Sequence, residues 1–76
     1  MSIDEILAPM PALVVKVVVN EGDSVKVGDI IALLTIMKVE TEVKTNVGGL
    51  VKEIKVKPEE IVDAGTVLIT IERDNI

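Results

Sequence analysis

The chain is 76 residues long, with a formal net charge of −5 at pH 7, 49% hydrophobic residues and no Cys, His, Phe, Tyr or Trp. That size allows one small domain whose core must be built largely from Val, Ile and Leu, with no disulfide or thiolate metal site to reinforce it. Lacking His and Cys, and with Ser2 and Ser24 as its only serines, the chain cannot assemble the usual nucleophile and base pairs. An acidic chain without stacking aromatics also fits nucleic acid poorly.

The mean hydropathy of +0.52 is high, yet Lys, Glu or Asp interrupts every apolar run before membrane-spanning length, so no membrane insertion is expected. Met1 to Glu5 lacks the basic and long apolar regions of a secretory signal, which gives the expectation of a cytoplasmic protein. No segment shows sustained helical periodicity with caps.

In chain order, Ile6 to Ala8 predicts a short first strand, closed by Pro9 and Pro11, which hold the chain extended and donate no ladder hydrogen bonds. Leu13 to Val19 predicts the second strand. Within it Val14 falls out of step with Val17 and Val19, and a bulge near Val15 and Lys16 would restore one inward face. Glu21-Gly22-Asp23-Ser24 reads as a turn, Val25 as a one-pair strand and Val27-Gly28-Asp29 as a second turn. Ile30 to Ile36 is the next strand. After Met37-Lys38, Val39, Thr41 and Val43 alternate with Glu40, Glu42 and Lys44, the clearest half-buried strand in the sequence. Thr45-Asn46-Val47-Gly48-Gly49 is a turn, Leu50 to Val56 a strand, and Lys57-Pro58-Glu59-Glu60 a turn. Thr66 to Glu72 is the last strand, and Arg73 to Ile76 is expected to fray.

The second half repeats the first. A shift of 37 positions (49 − 12) lays Gly49 on Ala12, Leu50 on Leu13, Val51 on Val14, Ile54 on Val17, Val56 on Val19, Val62 on Val25 and Gly65 on Gly28. Val-rich chains align with themselves easily, but here the phase slip at Val14 recurs at Val51 and a glycine recurs with it. Two copies of an incomplete β unit, neither able to bury its apolar face alone, predict two sheets packed face to face about a pseudo-two-fold axis. The expected core is Val14, Val17, Val19, Val25, Ile30, Leu33, Val51, Ile54, Val56, Val62, Val67 and Ile69.

The runs flanking Met37 and Lys38 are β-branched and contain neither Gly nor Pro, so their connection must be short, with Met37-Lys38 at the tip. Tight hairpins favour Asn, Asp or Gly there, because those residues tolerate positive φ. Met-Lys breaks this rule, and such breaks often mark functional sites. Ile36-Met37-Lys38-Val39-Glu40-Thr41, with Ala8-Pro9-Met10-Pro11 and Glu21-Gly22-Asp23-Ser24-Val25, resembles the biotinyl (biotin carboxyl carrier) domain of the biotinyl/lipoyl carrier family. The family's usual Ala-Met-Lys-Met is matched at Met37 and Lys38, with Val39 in place of the second Met.

The resemblance covers about Ile6 to Glu72 of a single 1–76 domain. It implies an all-β fold, a flattened barrel or sandwich of two roughly four-stranded antiparallel sheets, with the hairpin at one end and both termini at the other. It further implies a non-catalytic carrier: biotin bound covalently to Lys38, Met37 and Val39 read by a biotin protein ligase, and a carboxyl group shuttled between biotin carboxylase and carboxyltransferase subunits. Three other readings compete. Lys38 read alone is a solvated turn lysine, as most lysines are. A lipoyl carrier would share the fold but usually presents Asp-Lys-Ala, and an unmodified β-sandwich could serve as an interaction module.

Overall fold

The computed structural model describes residues 2–73. These residues form eight strands and no helix: β1 (Ser2–Leu7), β2 (Ala12–Val17), β3 (Ser24–Val25), β4 (Ile30–Ile36), β5 (Val39–Lys44), β6 (Gly49–Ile54), β7 (Ile61–Val62) and β8 (Val67–Arg73). They make two four-stranded sheets, β1-β8-β6-β3 and β5-β4-β2-β7, in which every pairing is antiparallel. The body measures 39 × 17 × 17 Å. This is the all-β, two-sheet architecture that the sequence predicts.

The repeat is visible in the register. Shifting by 37 carries β2 onto β6, β3 onto β7 and β4 onto β8, while β5 takes in one sheet the edge place that β1 takes in the other. The bulge expected near Val15 is there: Val14 pairs with Leu34 and Lys16 with Leu33, leaving Val15 over. Its counterpart leaves Lys52 over between Val51 and Glu53. A second pair of bulges falls at Ile31, against β5, and at Leu68, against β1. The loops obey the same relation. Gly22 N donates to Val51 O at 2.8 Å, and Glu59 N donates to Val14 O at 2.7 Å. Likewise Gly28 N donates to Thr45 O, and Gly65 N to Ala8 O, both at 2.8 Å.

The core is aliphatic and follows the two-fold. Val14, Ile31, Ala32, Leu34, Leu68, Ile69 and Ile71 are fully buried, with Val25, Val43, Val51, Val56, Val62, Ile6, Ala8 and Ala12 completing the cluster. Burying one such Val, Leu or Ile side chain contributes about 1.5–3 kcal/mol. Among the described residues no buried side-chain polar atom lacks a partner. Buried Thr45 donates to Val47 O at 2.6 Å and accepts from Val47 N at 3.1 Å.

Several expectations are corrected. Ile30 lies outside the core, and Val17, Val19, Leu33, Ile54 and Val67 are half-buried. For Ile30 and Val67 the cause is the bulges at Ile31 and Leu68, which place two successive residues, Ile31-Ala32 and Leu68-Ile69, in the interior and shift the phase of each strand. Val17, Val19 and Ile54 pack against the core from its margin. β1 begins at Ser2 rather than Ile6, and β2 and β6 stop at Val17 and Ile54. Ile61–Val62 forms a short strand where none was expected. Arg73 does not fray: it closes β8, its Nε and Nη2 donating to the Asp4 carboxylate at 2.7 and 2.9 Å. Asp74 to Ile76, expected to fray, lie outside the described residues.

Candidate functional site

β4 and β5 are joined by Met37 and Lys38 alone, with Ile36 paired to Val39 beneath them. Met37 has φ 50° and Lys38 φ 68°, so both central residues are left-handed, as a type I′ hairpin turn requires. The handedness matches the twist of the strands and lets a two-residue loop close without splaying them. Neither residue is Gly, Asn or Asp, and each carries the cost of its Cβ in that region, about 1–2 kcal/mol. Strain of this kind persists only where the surroundings impose it. Here they are β4 and β5 on both sides, Ile36 packed against the core, and the Thr41 hydroxyl donating to Val39 O at 3.3 Å.

The structure brings the three predicted site residues together. Lys38 is exposed at the apex, Met37 is 80% exposed beside it, and Val39, the first residue of β5, is 63% exposed. Ile36 and Thr41 bound the motif segment but carry no site role in the sequence reading; the structure shows them supporting the turn. Their signal was the spacing: an apolar residue closing β4 and a Thr two places beyond Val39. Under the shift of 37, the Ile36–Val39 pair that closes the hairpin takes the place of the Arg73–Ser2 pair in the other half.

An open depression elsewhere is lined by Val19, Asp23, Ser24, Val25, Gly28, Asp29 and Ile30. Its carboxylates are engaged in the turns, Asp23 accepting from Asn20 N and Asp29 from Lys26 N, each at 2.8 Å. Among the described residues no group of side chains could hold a metal ion. Chemically, the hairpin offers a primary amine on a rigid support, reachable from solvent, with apolar side chains on either side. That arrangement suits acylation of the amine by a group delivered from another protein, because the nucleophile is presented without any catalytic partner of its own.

Comparison with known proteins gives the class. A family model described as "Biotin-requiring enzyme", that of the biotin and lipoyl carriers, matches residues 4–71. The chain is 42% identical over 64 residues to the biotin carboxyl carrier protein of Streptococcus mutans, covering 84% of this chain and 49% of that protein. It is 35% identical over 68 residues to the biotinylated protein TB7.3 homolog of Mycobacterium leprae, covering 90% of this chain and 96% of that one. The chain thus spans about half the length of the first relative and nearly all of the second. Among solved structures, the urea carboxylase of Kluyveromyces lactis contains the same fold with a TM-score of 0.88 at 26% identity, covering 95% of this chain and 6% of that chain. The chain belongs to the biotinyl/lipoyl carrier family.

Proposed function

We propose that the chain is a biotin carboxyl carrier domain whose Lys38 takes biotin in amide linkage. The observation that carries the reading is the hairpin: a lysine exposed at the apex of a left-handed two-residue turn. Lys38 Nζ, once deprotonated, attacks the activated carboxyl carbon of biotin. The C–N bond forms, the activating group leaves with the electron pair of its own bond, and the amine proton is lost. Bound biotin supplies the carboxyl-carrying ureido ring. The domain itself catalyses nothing and supplies presentation.

The rigid turn holds the lysine outward, and the exposed Met37 and Val39 give a biotin protein ligase apolar contacts to read. With Lys38 exposed at the apex of the turn, the loaded lysine can enter a biotin carboxylase and a carboxyltransferase in turn. Work between such partners fits a cytoplasmic protein. The name of the first relative and the occurrence of this fold inside a carboxylase chain support biotin over lipoate, as does Met37 where lipoyl domains usually carry Asp.

The test is intact mass and streptavidin blotting after incubation with a biotin ligase. The parent should gain one biotin, and Lys38→Arg none, because a guanidinium keeps the charge but is not deprotonated. Lys44→Arg and Lys52→Arg should be labelled as the parent is. Labelling of Lys38→Arg, or none of the parent, would refute the assignment.

A further inference from the structure

Resting on the carrier reading, we propose that Met37 is an oxidation site, and that its conversion to the sulfoxide switches off biotin attachment at Lys38 without unfolding the domain. The chain contains no Cys, His, Trp, Tyr or Phe and three methionines, so its readily oxidised side chains are methionines alone. Met1 lies outside the described residues. Met10 is 43% exposed and Met37 is 80% exposed. The buried cluster contains neither and is wholly aliphatic apart from Thr45 and Thr70, so a peroxide finds nothing to attack in the core. Among the described residues it meets its most accessible thioether immediately beside the acceptor amine.

The step is a two-electron transfer. The Met37 sulfur donates a lone pair to one oxygen of a hydroperoxide, an S–O bond forms and the O–O bond breaks. With hydrogen peroxide the other oxygen leaves as water. The sulfur is oxidised and the peroxide reduced. Methionine oxidation usually damages proteins by placing a polar, chiral group in a packed core. Met37 has little packing to lose, and its backbone is fixed by the turn whatever the side chain carries. What changes is the surface a ligase meets, since an apolar contact becomes a strong acceptor that an apolar pocket would have to desolvate.

The experiment treats the biotin-free domain with dilute hydrogen peroxide, maps the added oxygen by peptide mass spectrometry, and measures initial labelling by a biotin ligase. Met37 should be oxidised before Met10. The Met37-sulfoxide species should label about tenfold or more slowly, the size of discrimination an apolar pocket makes for one group. Its thermal midpoint should not move, and methionine sulfoxide reductases should restore the rate. Met37→Leu, whatever its own rate, should label equally before and after peroxide, while Met10→Leu should remain peroxide-sensitive. Undiminished labelling of the Met37-sulfoxide species overturns the inference, as does a peroxide effect that survives in Met37→Leu or one accompanied by unfolding. An untreated parent that is never labelled brings down the carrier reading itself. A labelled parent indifferent to Met37 oxidation removes the switch and leaves the carrier standing.

Discussion

The two halves of this domain are nearly the same structure, and they part company most sharply at the β4–β5 hairpin. In one half β4 turns into β5 through Met37 and Lys38, closed by the Ile36–Val39 pair. In the other, Arg73 of β8 and Ser2 of β1 make the equivalent pair, and the Asp4–Arg73 ion pair bridges the two strands at the edge of the sheet. What recurs under the shift of 37 (four bulges, the loop hydrogen bonds, the paired core residues) serves the fold in both copies. The hairpin tip is where selection for anything beyond folding can act, and two of the three non-glycine residues with positive φ among the described residues lie there, the third being Glu59.

If the halves are equivalent as scaffolds, symmetry mates should respond alike. Leu34 and Ile71 are related by the shift, and both are fully buried. Leu34→Ala and Ile71→Ala should each lower stability by about 2–5 kcal/mol in urea melts, with the two values within about 1 kcal/mol of each other given similar surroundings. A large loss at one and a trivial loss at the other would mean that the halves only look alike. Half-buried Ile54 should lose less than either.

Gly49 and Ala12 show where equivalence stops. Ala12 keeps its buried methyl group, whereas a Cβ on Gly49 would run into the backbone carbonyl of Glu72, and Gly49 has φ 153°. Gly49→Ala should therefore destabilise by about 2–3 kcal/mol, through overpacking against backbone that cannot step aside. Ala12→Gly should lose much less. Circular dichroism melts of the two variants decide it.

At the hairpin, strain and function are set against each other. Replacing Met37-Lys38 by Asn-Gly suits the left-handed turn and should stabilise the domain by about 1–2 kcal/mol while abolishing biotin labelling. A double variant less stable than the parent would show that Met37 or Lys38 contributes packing that their exposure conceals.

How much of this the sequence reveals depends on whether a residue's environment leaves a local trace. The bulges at Val15 and Lys52 are legible because Val14 falls out of phase with Val17 and Val19, and Val51 with Ile54 and Val56, across the polar residues Lys16 and Lys52-Glu53. Those at Ile31 and Leu68 are not, since each lies in an apolar run that reads the same in either phase, which is why the sequence pattern puts Ile30 inside. β7 escapes notice because two residues, one of them 79% exposed Ile61, carry no periodicity; their strand character comes from pairing with β2. The lysine tip is legible because it departs from turn chemistry. The ion pair holding Arg73 is not, because its partner lies at the other end of the chain.

The smallest effect concerns the two turns that precede β3 and β7. Asn20-Glu21-Gly22-Asp23 and Lys57-Pro58-Glu59-Glu60 occupy equivalent places. In each the fourth residue's N–H donates to the first residue's carbonyl, at 3.1 and 3.3 Å, and the third residue has positive φ, 94° at Gly22 and 72° at Glu59. Their carboxylates also correspond, Asp23 accepting from Asn20 N and Glu60 from Lys57 N. The second turn follows the pattern in which proline stands second and a left-handed residue third, a place that suits Gly. Glu59 fills it at a steric cost of about 1–2 kcal/mol. Glu59→Gly relieves that cost but adds freedom to the unfolded chain, an opposing term of about 0.5–1 kcal/mol. The difference predicts a net gain of about 0.5–1 kcal/mol, a rise of a few degrees in the thermal midpoint for a domain of this size. Gly22→Ala, the converse change in the other half, should lower the midpoint. Labelling at Lys38 should be unaffected by Glu59→Gly, since that turn lies beside Val14 and not at the hairpin. A lower midpoint for Glu59→Gly would show that the Glu59 side chain stabilises its turn by more than the strain it imposes, and the two turns would then be equivalent in path but not in what holds them.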